Sequence, residues 1–157
     1  MIQDLLSADR IQVDLQAADR DGVVAELVQT LLQGSEGGDA EEIIKTMIHR
    51  EDKGSTAILP RFALPHARTS ASPGFVVSLG ISREGVDFGA PDGSKTYVFF
   101  CISHHPENHG RYLDLLSRIS LLFSEPSFLE GLMKAASVEE VCSLIQRREE
   151  ELFTVNS

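Results

Sequence analysis

The sequence predicts one α/β domain over residues 1–157, with a mixed β-sheet flanked by α-helices on both faces. Two apolar runs, residues 75–81 and 96–102, have the length and composition of central strands. Several other segments place their apolar residues at helical spacing. No internal repeat or long linker divides the chain, and 157 residues is a usual size for one domain. Helices packed on a sheet are therefore the expected architecture.

Periodicity predicts the elements of the amino-terminal third. Residues 11–16 alternate apolar and polar side chains, which indicates a half-buried strand. Helical spacing predicts a helix from residue 19 or 21 to about residue 32, and the glycines within 33–38 mark its end. Asp39, with an acid three residues further on, is typical of an N-cap and opens a second helix that reaches about residue 53. Arg50 lies near the C-terminal end of this second helix.

Helices are also expected after the two central strands. A polar loop over residues 103–110 precedes a helix over about 111–123. Pro126 begins another helix through about residue 135, and Ser137, with an acid three residues later, caps the last one. The side of the 111–123 helix expected to face the sheet carries Leu113, Leu116, Ile119 and Phe123.

Charge and hydropathy exclude several classes of protein. A net charge of −10 argues against nucleic-acid binding, which needs clustered Lys and Arg. The longest apolar run, residues 97–102, is too short to span a bilayer, and the N-terminus shows no secretory signal. We therefore expect a cytoplasmic protein without direct membrane insertion. The acidic surface would suit docking to a protein with a basic patch.

The segment 63–68, Ala-Leu-Pro-His-Ala-Arg, is the most informative stretch of the chain. Pro65 has a restricted φ and favours extended geometry at Leu64, so His66 is expected at the end of a short strand, displayed at a sheet edge. A neutral imidazole near pH 7 can act as a nucleophile, a proton carrier or a metal ligand. The residues around His66 must decide among these roles.

Arginines surround His66 in the sequence. Arg50 precedes it by sixteen residues, and Arg61 and Arg68 flank it. Between Arg50 and His66 lies Gly-Ser-Thr at 54–56, a loop whose amides and hydroxyls suit an oxyanion. Since the planar fork of Arg matches phosphate oxygens, a histidine beside three arginines favours phosphoryl handling over proton abstraction.

Six motifs occur in a specific order along nearly the whole chain. They are Arg50-Glu51, Gly54-Ser55-Thr56, the 63–68 segment, Glu84-Gly85-Val86-Asp87-Phe88, Tyr112-Leu113-Asp114-Leu115-Leu116-Ser117 and Ser137-Val138-Glu139-Glu140-Val141. In these motifs the chain resembles the enzyme IIA domains of the bacterial phosphoenolpyruvate-dependent sugar phosphotransferase system, of the fructose, mannitol and nitrogen-regulatory type. The resemblance implies a phosphotransferase component with this fold. Its histidine would accept phosphate from phosphohistidine on HPr and pass it to an enzyme IIB component, or use it as a regulatory signal.

The resemblance also implies roles for individual residues. His66 would be the phosphorylated nucleophile and Arg50 the cation over the phosphoryl oxygens. Thr56 and Arg68 would bind phosphate or support the site. Because phosphoryl transfer depends mainly on positioning and charge stabilisation, Arg can supply the positive charge, and no metal or other cofactor is expected.

One position departs from the family pattern. The family usually has a second histidine near the active one, where the fit of the following motif puts Tyr112. A phenol can donate a hydrogen bond but carries no positive charge near pH 7. The phenol replaces the imidazole as a neutral donor, or His109, one helical turn earlier, reaches the site, or efficient transfer has been lost. A purely packing role for Tyr112 also stays open.

The sequence leaves two other functional classes open. The first is a regulatory interaction module of the same fold with weak or lost phosphotransfer. The second is a metal-dependent enzyme that uses the histidine-rich loop 104–109, which lacks regular ligand spacing. The sequence does not identify a sugar substrate, an oligomeric state or a downstream acceptor.

Overall fold

A computed structural model describes residues 1–153 of the chain. The helices are α1 (Ile2–Leu5), α2 (Arg20–Leu31), α3 (Ala40–Asp52), α4 (His109–Phe123), α5 (Pro126–Lys134) and α6 (Val138–Phe153). The strands are β1 (Ile11–Gln12), β2 (Phe62–Ala63), β3 (His66–Arg68), β4 (Phe75–Val86) and β5 (Thr96–His104). Short 3₁₀ turns cover Ala8–Arg10 and Pro106–Asn108. The expected domain includes residues 154–157, which lie outside the described part.

The five strands form one mixed sheet with β4 and β5 at its centre. β4 and β5 are antiparallel, whereas β1 runs parallel to β4. β2 and β3 both run parallel to β5 along its other edge. Proline lacks an N–H, and Pro65 lies where the edge strand is interrupted between β2 and β3. The carbonyl of Pro65 still accepts a hydrogen bond from the Ile102 N–H at 3.0 Å, so β3 continues along β5 beyond the interruption.

Helices cover both faces of the sheet, which confirms the predicted fold class. Successive strand residues point to opposite faces, so β5 contributes Val98, Phe100 and Ile102 to one core and Phe99 and Cys101 to the other. The first core is completed by α1, α4, α5 and α6, and the second by α2 and α3. No helix within residues 1–153 is both long and apolar enough to cross a membrane.

The helix starts agree with the capping signals in the sequence. Asp19 accepts a hydrogen bond from the Gly22 N–H at 2.7 Å, and Asp39 accepts one from the Glu42 N–H at 3.3 Å. The Glu140 N–H donates to the Ser137 hydroxyl at 3.2 Å. These contacts are local, since each side chain satisfies an N–H in the first turn of its own helix.

The prediction of which α4 side chains lie on the apolar side of the helix was partly wrong. Leu113 is 51% exposed, whereas its neighbour Tyr112 is buried. α4 begins at His109, two residues before the expected start, directly after the Pro106–Asn108 turn. The side chains of α4 that are buried are those of Tyr112, Leu115, Ile119, Leu122 and Phe123.

Strand boundaries departed more from expectation. β1 covers only Ile11–Gln12 of the predicted 11–16 strand. His66 begins β3 and does not end a strand, because β5 offers a parallel partner beyond Pro65. β5 runs two residues past the expected end, so Ser103 and His104 are buried in the sheet and not solvated in a loop. This extension places His104 in the same sheet as His66.

Candidate functional site

Within residues 1–153, one ring nitrogen of His66 makes a hydrogen bond and the other has no hydrogen-bond partner. The residue is half-buried at the start of β3, opposite Ile102 of β5. Its Nδ1 lies 2.9 Å from the carbonyl oxygen of Leu64. A carbonyl only accepts, so the proton of the neutral ring is assigned to Nδ1. Nε2 therefore carries the lone pair of the neutral ring and is the atom that can act as a nucleophile.

The surroundings of His66 keep the imidazole neutral. Burial is the largest influence and lowers the pKa of His66, because the protonated ring loses solvation. The hydrogen bond to Leu64 raises the pKa, whereas the Arg50 charge and His104 lower it further. The net pKa lies below the usual value, so at pH 7 the unprotonated, nucleophilic form predominates.

Arg50, the cation that the sequence placed at this site, lies close enough for its charge to influence His66. It lies in the last turn of α3, where its Nη1 donates to the Gly54 carbonyl at 2.7 Å. This hydrogen bond anchors the guanidinium to the loop that follows α3. The charge of Arg50 acts on both neighbours: it adds to the burial that lowers the pKa of His66, and it opposes the burial that raises the pKa of Tyr112. Arg50, His66 and Tyr112 thus share one electrostatic environment.

The hydroxyls of the 54–56 loop are occupied within the protein. The Thr56 hydroxyl and N–H both donate to the carboxyl of Glu51, and these two residues are only 4% exposed. Ser55 Oγ donates to the Phe88 carbonyl and accepts from the Ala57 N–H. Burial raises the pKa of Glu51, an effect that the Thr56 hydrogen bonds oppose. Of the two roles expected for Thr56, this geometry favours support of the loop over phosphate binding.

Tyr112 lies directly beside the imidazole of His66. Its ring centroid is 5.3 Å from that of His66, with the planes inclined by 36°. Tyr112 is 8% exposed and belongs to the core between α4 and the sheet. Burial raises the pKa of its hydroxyl, so the phenol is neutral at pH 7. Packing and proximity to His66 are therefore both properties of this side chain.

His104 is a residue of this site that sequence reasoning had assigned to a solvated loop. It is 1% exposed and stacks on Tyr112, with centroids 4.8 Å apart and planes inclined by 20°. The alternation along β5 was the signal that could have found it, because Phe100, Ile102 and His104 are two residues apart on the face covered by α4.

The two other candidate site residues, His109 and Arg68, lie close to His104. The His109 ring is 5.8 Å from Tyr112 and 6.0 Å from His104, and its buried Nδ1 has no hydrogen-bond partner among residues 1–153. No ring contact joins His109 to His66 in that part of the chain. Arg68 is exposed, two residues after His66 on β3, and lies opposite His104 in the register.

The histidine-rich segment 104–109 has no metal-site geometry. Within residues 1–153, no group of three or more histidine, cysteine or acidic side chains is placed to hold a metal ion. His104 belongs to β5 and His109 to α4, so the segment is not one loop. His105 and Glu107 form a weak pair, with Nδ1 and a carboxylate oxygen 4.0 Å apart.

Comparison with known proteins gives relatives over nearly the whole chain. Residues 4–148 match the family described as the phosphoenolpyruvate-dependent sugar phosphotransferase system, EIIA 2. The mannitol-specific phosphotransferase enzyme IIA component of Bacillus subtilis is 29% identical over 144 residues, which cover 89% of this chain and 95% of the relative. The fructose-specific EIIABC component of the same organism is 26% identical over 148 residues, 94% of this chain but only 23% of that relative.

The fold also matches a solved structure. The crystal structure of the nitrogen regulatory protein IIA-Ntr from Neisseria meningitidis superimposes with a TM-score of 0.82 at 27% sequence identity, covering 92% of this chain and 98% of that one. The match of the family over residues 4–148 therefore confirms the resemblance that the six motifs indicated: the chain belongs to the EIIA 2 family of the phosphoenolpyruvate-dependent sugar phosphotransferase system.

Proposed function

We propose that this protein is a phosphocarrier in which Nε2 of His66 accepts a phosphoryl group from an HPr-like protein. The observation that carries the proposal is the hydrogen bond of 2.9 Å between His66 Nδ1 and the Leu64 carbonyl. It fixes the tautomer with a free Nε2, in a setting that lowers the pKa of the ring by burial. Arg50 adds positive charge beside this nucleophile.

The transfer needs no group beyond the two imidazoles and the charges around them. The Nε2 lone pair of His66 attacks the phosphorus of the donor's phosphohistidine. The donor's phosphorus–nitrogen bond breaks, and its electron pair returns to the donor ring. During the transfer, negative charge spreads over the three equatorial oxygens, where Arg50 stabilises it. The reverse attack by an acceptor, such as an enzyme IIB component, regenerates free His66.

The other residues of the site have supporting roles in this proposal. Tyr112 is a neutral donor toward the phosphoryl oxygens, whereas Thr56 holds the loop that anchors Arg50. Arg68 and His109 add charge or polarity at the edge of the site. The partners are proteins, in keeping with a net charge of −10 that disfavours nucleic acid, and we place the reaction in the cytoplasm.

A second candidate function is regulation by the phosphorylation state of the same site. The observation that favours it is the neutral, buried phenol of Tyr112 beside His66, where an imidazolium would speed transfer more strongly. The similarity to the nitrogen regulatory protein of Neisseria meningitidis supports it as well. Tyr112→His tests this candidate. If phosphorylation becomes faster, Tyr112 restrains transfer; if it becomes slower, Tyr112 is adapted to transfer.

The phosphocarrier function is tested by incubating the full chain with phosphoenolpyruvate, enzyme I and HPr. We expect one acid-labile, base-stable phosphoryl group on the intact protein and none on His66→Ala. His105→Ala is the matched control, because this half-exposed histidine lies outside the ring contacts of His66. Absence of phosphate on the intact protein, or its presence on His66→Ala, would refute the proposal.

A further inference from the structure

His104 is a buried titratable group to which the proposed transfer assigns no role. Its ring lies between two aromatic neighbours, with Phe75 at 5.9 Å and Tyr112 at 4.8 Å between centroids. The guanidinium of Arg111 lies 4.7 Å from the centre of the Phe75 ring. An ionisable side chain in such a stack is normally neutral, since burial removes the solvation of its charged form.

The tautomer of His104 repeats that of His66. Nδ1 lies 3.0 Å from the carbonyl oxygen of His105, so it carries the proton of the neutral ring. No hydrogen bond to Nε2 of His104 is found within residues 1–153. That nitrogen is therefore available to accept a proton, and the ring would then be an imidazolium held in the same orientation.

The two histidines are close enough to sense each other's charge. His66 lies opposite Ile102, and His104 is two residues further along β5, about 7 Å in strand length, on the same face. Both rings contact Tyr112, which is the only ring that separates them in the described contacts. Charge on one histidine therefore acts on the other through a buried aromatic side chain, where screening by solvent is weak.

The titratable groups around His104 are cationic or neutral, except for the exposed carboxylate of Glu107. β3 contributes Arg68 and His66, and α4 contributes His109, with Arg111 reaching across Phe75. The turn after β5 contributes His105 and Glu107, whose carboxylate faces His105. Tyr112 is neutral, and no titratable side chain comes from β4 at Phe75. Burial first, and then His109 and Arg68, lower the pKa of His104 below its usual value.

A phosphoryl group on His66 would bring a charge of about −1.5 to −2 near pH 7 close to His104. Its negative charge favours the protonated form of His104, whereas the present cationic neighbours disfavour it. Resting on the proposed phosphorylation of His66, we propose that His104 takes up a proton when His66 receives its phosphoryl group, so that an imidazolium supplies the positive charge that Tyr112 lacks. The proton comes from solvent and binds Nε2 of His104, and no covalent bond breaks. It leaves again when the phosphoryl group is passed on. His104 is thus a positioning residue, acting electrostatically on the phosphoryl group.

The direct test is an NMR titration of the full chain carrying ¹⁵N-labelled histidine, before and after phosphorylation with phosphoenolpyruvate, enzyme I and HPr. In the phosphorylated protein we expect the pKa of His104 to rise by about one unit or more. His49, which is exposed on α3, is the internal control. A phosphorylated protein with an unchanged His104 titration would refute this inference and leave the proposed function intact. If the protein cannot be phosphorylated at all, both this inference and the proposed function are refuted.

A kinetic test uses His104→Gln, which keeps a polar side chain but cannot titrate near pH 7. The rate of phosphoryl return from His66 to HPr is measured across pH 6 to 8. The HPr imidazole titrates in this range in every assay, so the readout is the ratio of the wild-type rate to the variant rate at each pH. This ratio should change across the range for His104→Gln, which should hold phosphate about five- to tenfold less well, and it should stay constant for His105→Gln. A ratio for His104→Gln that does not depend on pH refutes the inference, and the wild-type NMR titration decides it even if the variant does not fold.

Discussion

The rings of His66 and Tyr112 lie 5.3 Å apart, centroid to centroid, although 46 positions separate the two residues in the sequence. β3 presents the imidazole and the first turns of α4 present the phenol. No hydrogen bond of the Tyr112 hydroxyl is found among residues 1–153, so in the proposed transfer this hydroxyl is available as a donor to the phosphoryl group. The charge of Arg50 acts on both rings.

Tyr112→Phe tests whether this hydroxyl contributes to transfer. The substitution keeps the ring and its packing against His66 and His104 but removes the donor. We expect phosphorylation of His66 by phospho-HPr to slow about tenfold, the effect of losing one hydrogen bond to a charged group. Rapid-quench measurement of phosphoprotein provides the rate. Tyr97→Phe, at the far end of β5, is the control; equal rates for wild type and Tyr112→Phe would leave Tyr112 a packing residue.

Arg50→Ala tests the cation of the site. Removing the guanidinium takes away charge stabilisation of the equatorial oxygens, and we expect the rate of phosphorylation to fall about 100-fold or more. Arg50→Lys should recover only part of the rate, because an ammonium cannot donate the paired hydrogen bonds of a guanidinium. Lys45→Ala, exposed on the same helix, should leave the rate unchanged. A rate for Arg50→Ala within threefold of wild type would contradict the assigned role.

Thr56→Val separates support from phosphate binding at the loop after α3. The valine keeps the shape of the side chain but leaves the buried Glu51 carboxyl without its hydroxyl donor. We expect the free energy of unfolding to fall by about 1–3 kcal/mol, with a much smaller effect on phosphorylation. Denaturant titration and the phosphorylation rate are measured on the same protein. Thr56→Ser retains the hydroxyl as a control, and a large loss of rate without a loss of stability would favour phosphate binding.

Glu149→Ala tests an anchor that joins the two ends of the described chain. The fully buried carboxyl of Glu149 on α6 accepts hydrogen bonds from the N–H groups of Ile2 at 2.8 Å and Gln3 at 3.0 Å. Its removal leaves both donors at the start of α1 without this acceptor, so we expect a loss of about 2–3 kcal/mol in denaturant unfolding. Glu149→Gln should lose less, because the amide oxygen still accepts. Glu139→Ala, exposed on α6, should change stability by less than about 0.5 kcal/mol.

Stability should decrease as pH falls below about 6.5, the usual pKa of histidine. The folded state lowers the pKa of His66 and His104, chiefly by burial, so it binds fewer protons than the unfolded chain. Their contribution is present above pH 6.5 and is lost as the unfolded state takes up protons at lower pH. Denaturant midpoints at pH 8 and pH 5.5 measure the difference. His104→Phe should reduce this difference and His49→Gln should not; an unchanged difference in His104→Phe contradicts the assignment.

Local signals predicted the helices well, because they depend on residues that are neighbours in the chain. Asp19 and Asp39 cap α2 and α3 through N–H groups three residues away. The end of β5 could not be predicted in the same way. Ser103 and His104 are polar and precede a proline turn, so they resemble a loop, but β5 is extended by pairing with Val76 and Phe75 of β4 and with β3.

The sequence by itself indicated which groups the proposed transfer uses, the Pro65-His66 pair and Arg50 at a helix end, and it indicated an acidic surface unsuited to nucleic acid. These follow from side-chain type and short-range backbone restriction. The tertiary structure decided that His104, and not only Tyr112 and His109, belongs to the site. The physical reason is that strand register and the docking of α4 on the sheet are set by burial among residues distant in the chain. Those contacts, and not the order of residues, give His104 its buried place next to Tyr112.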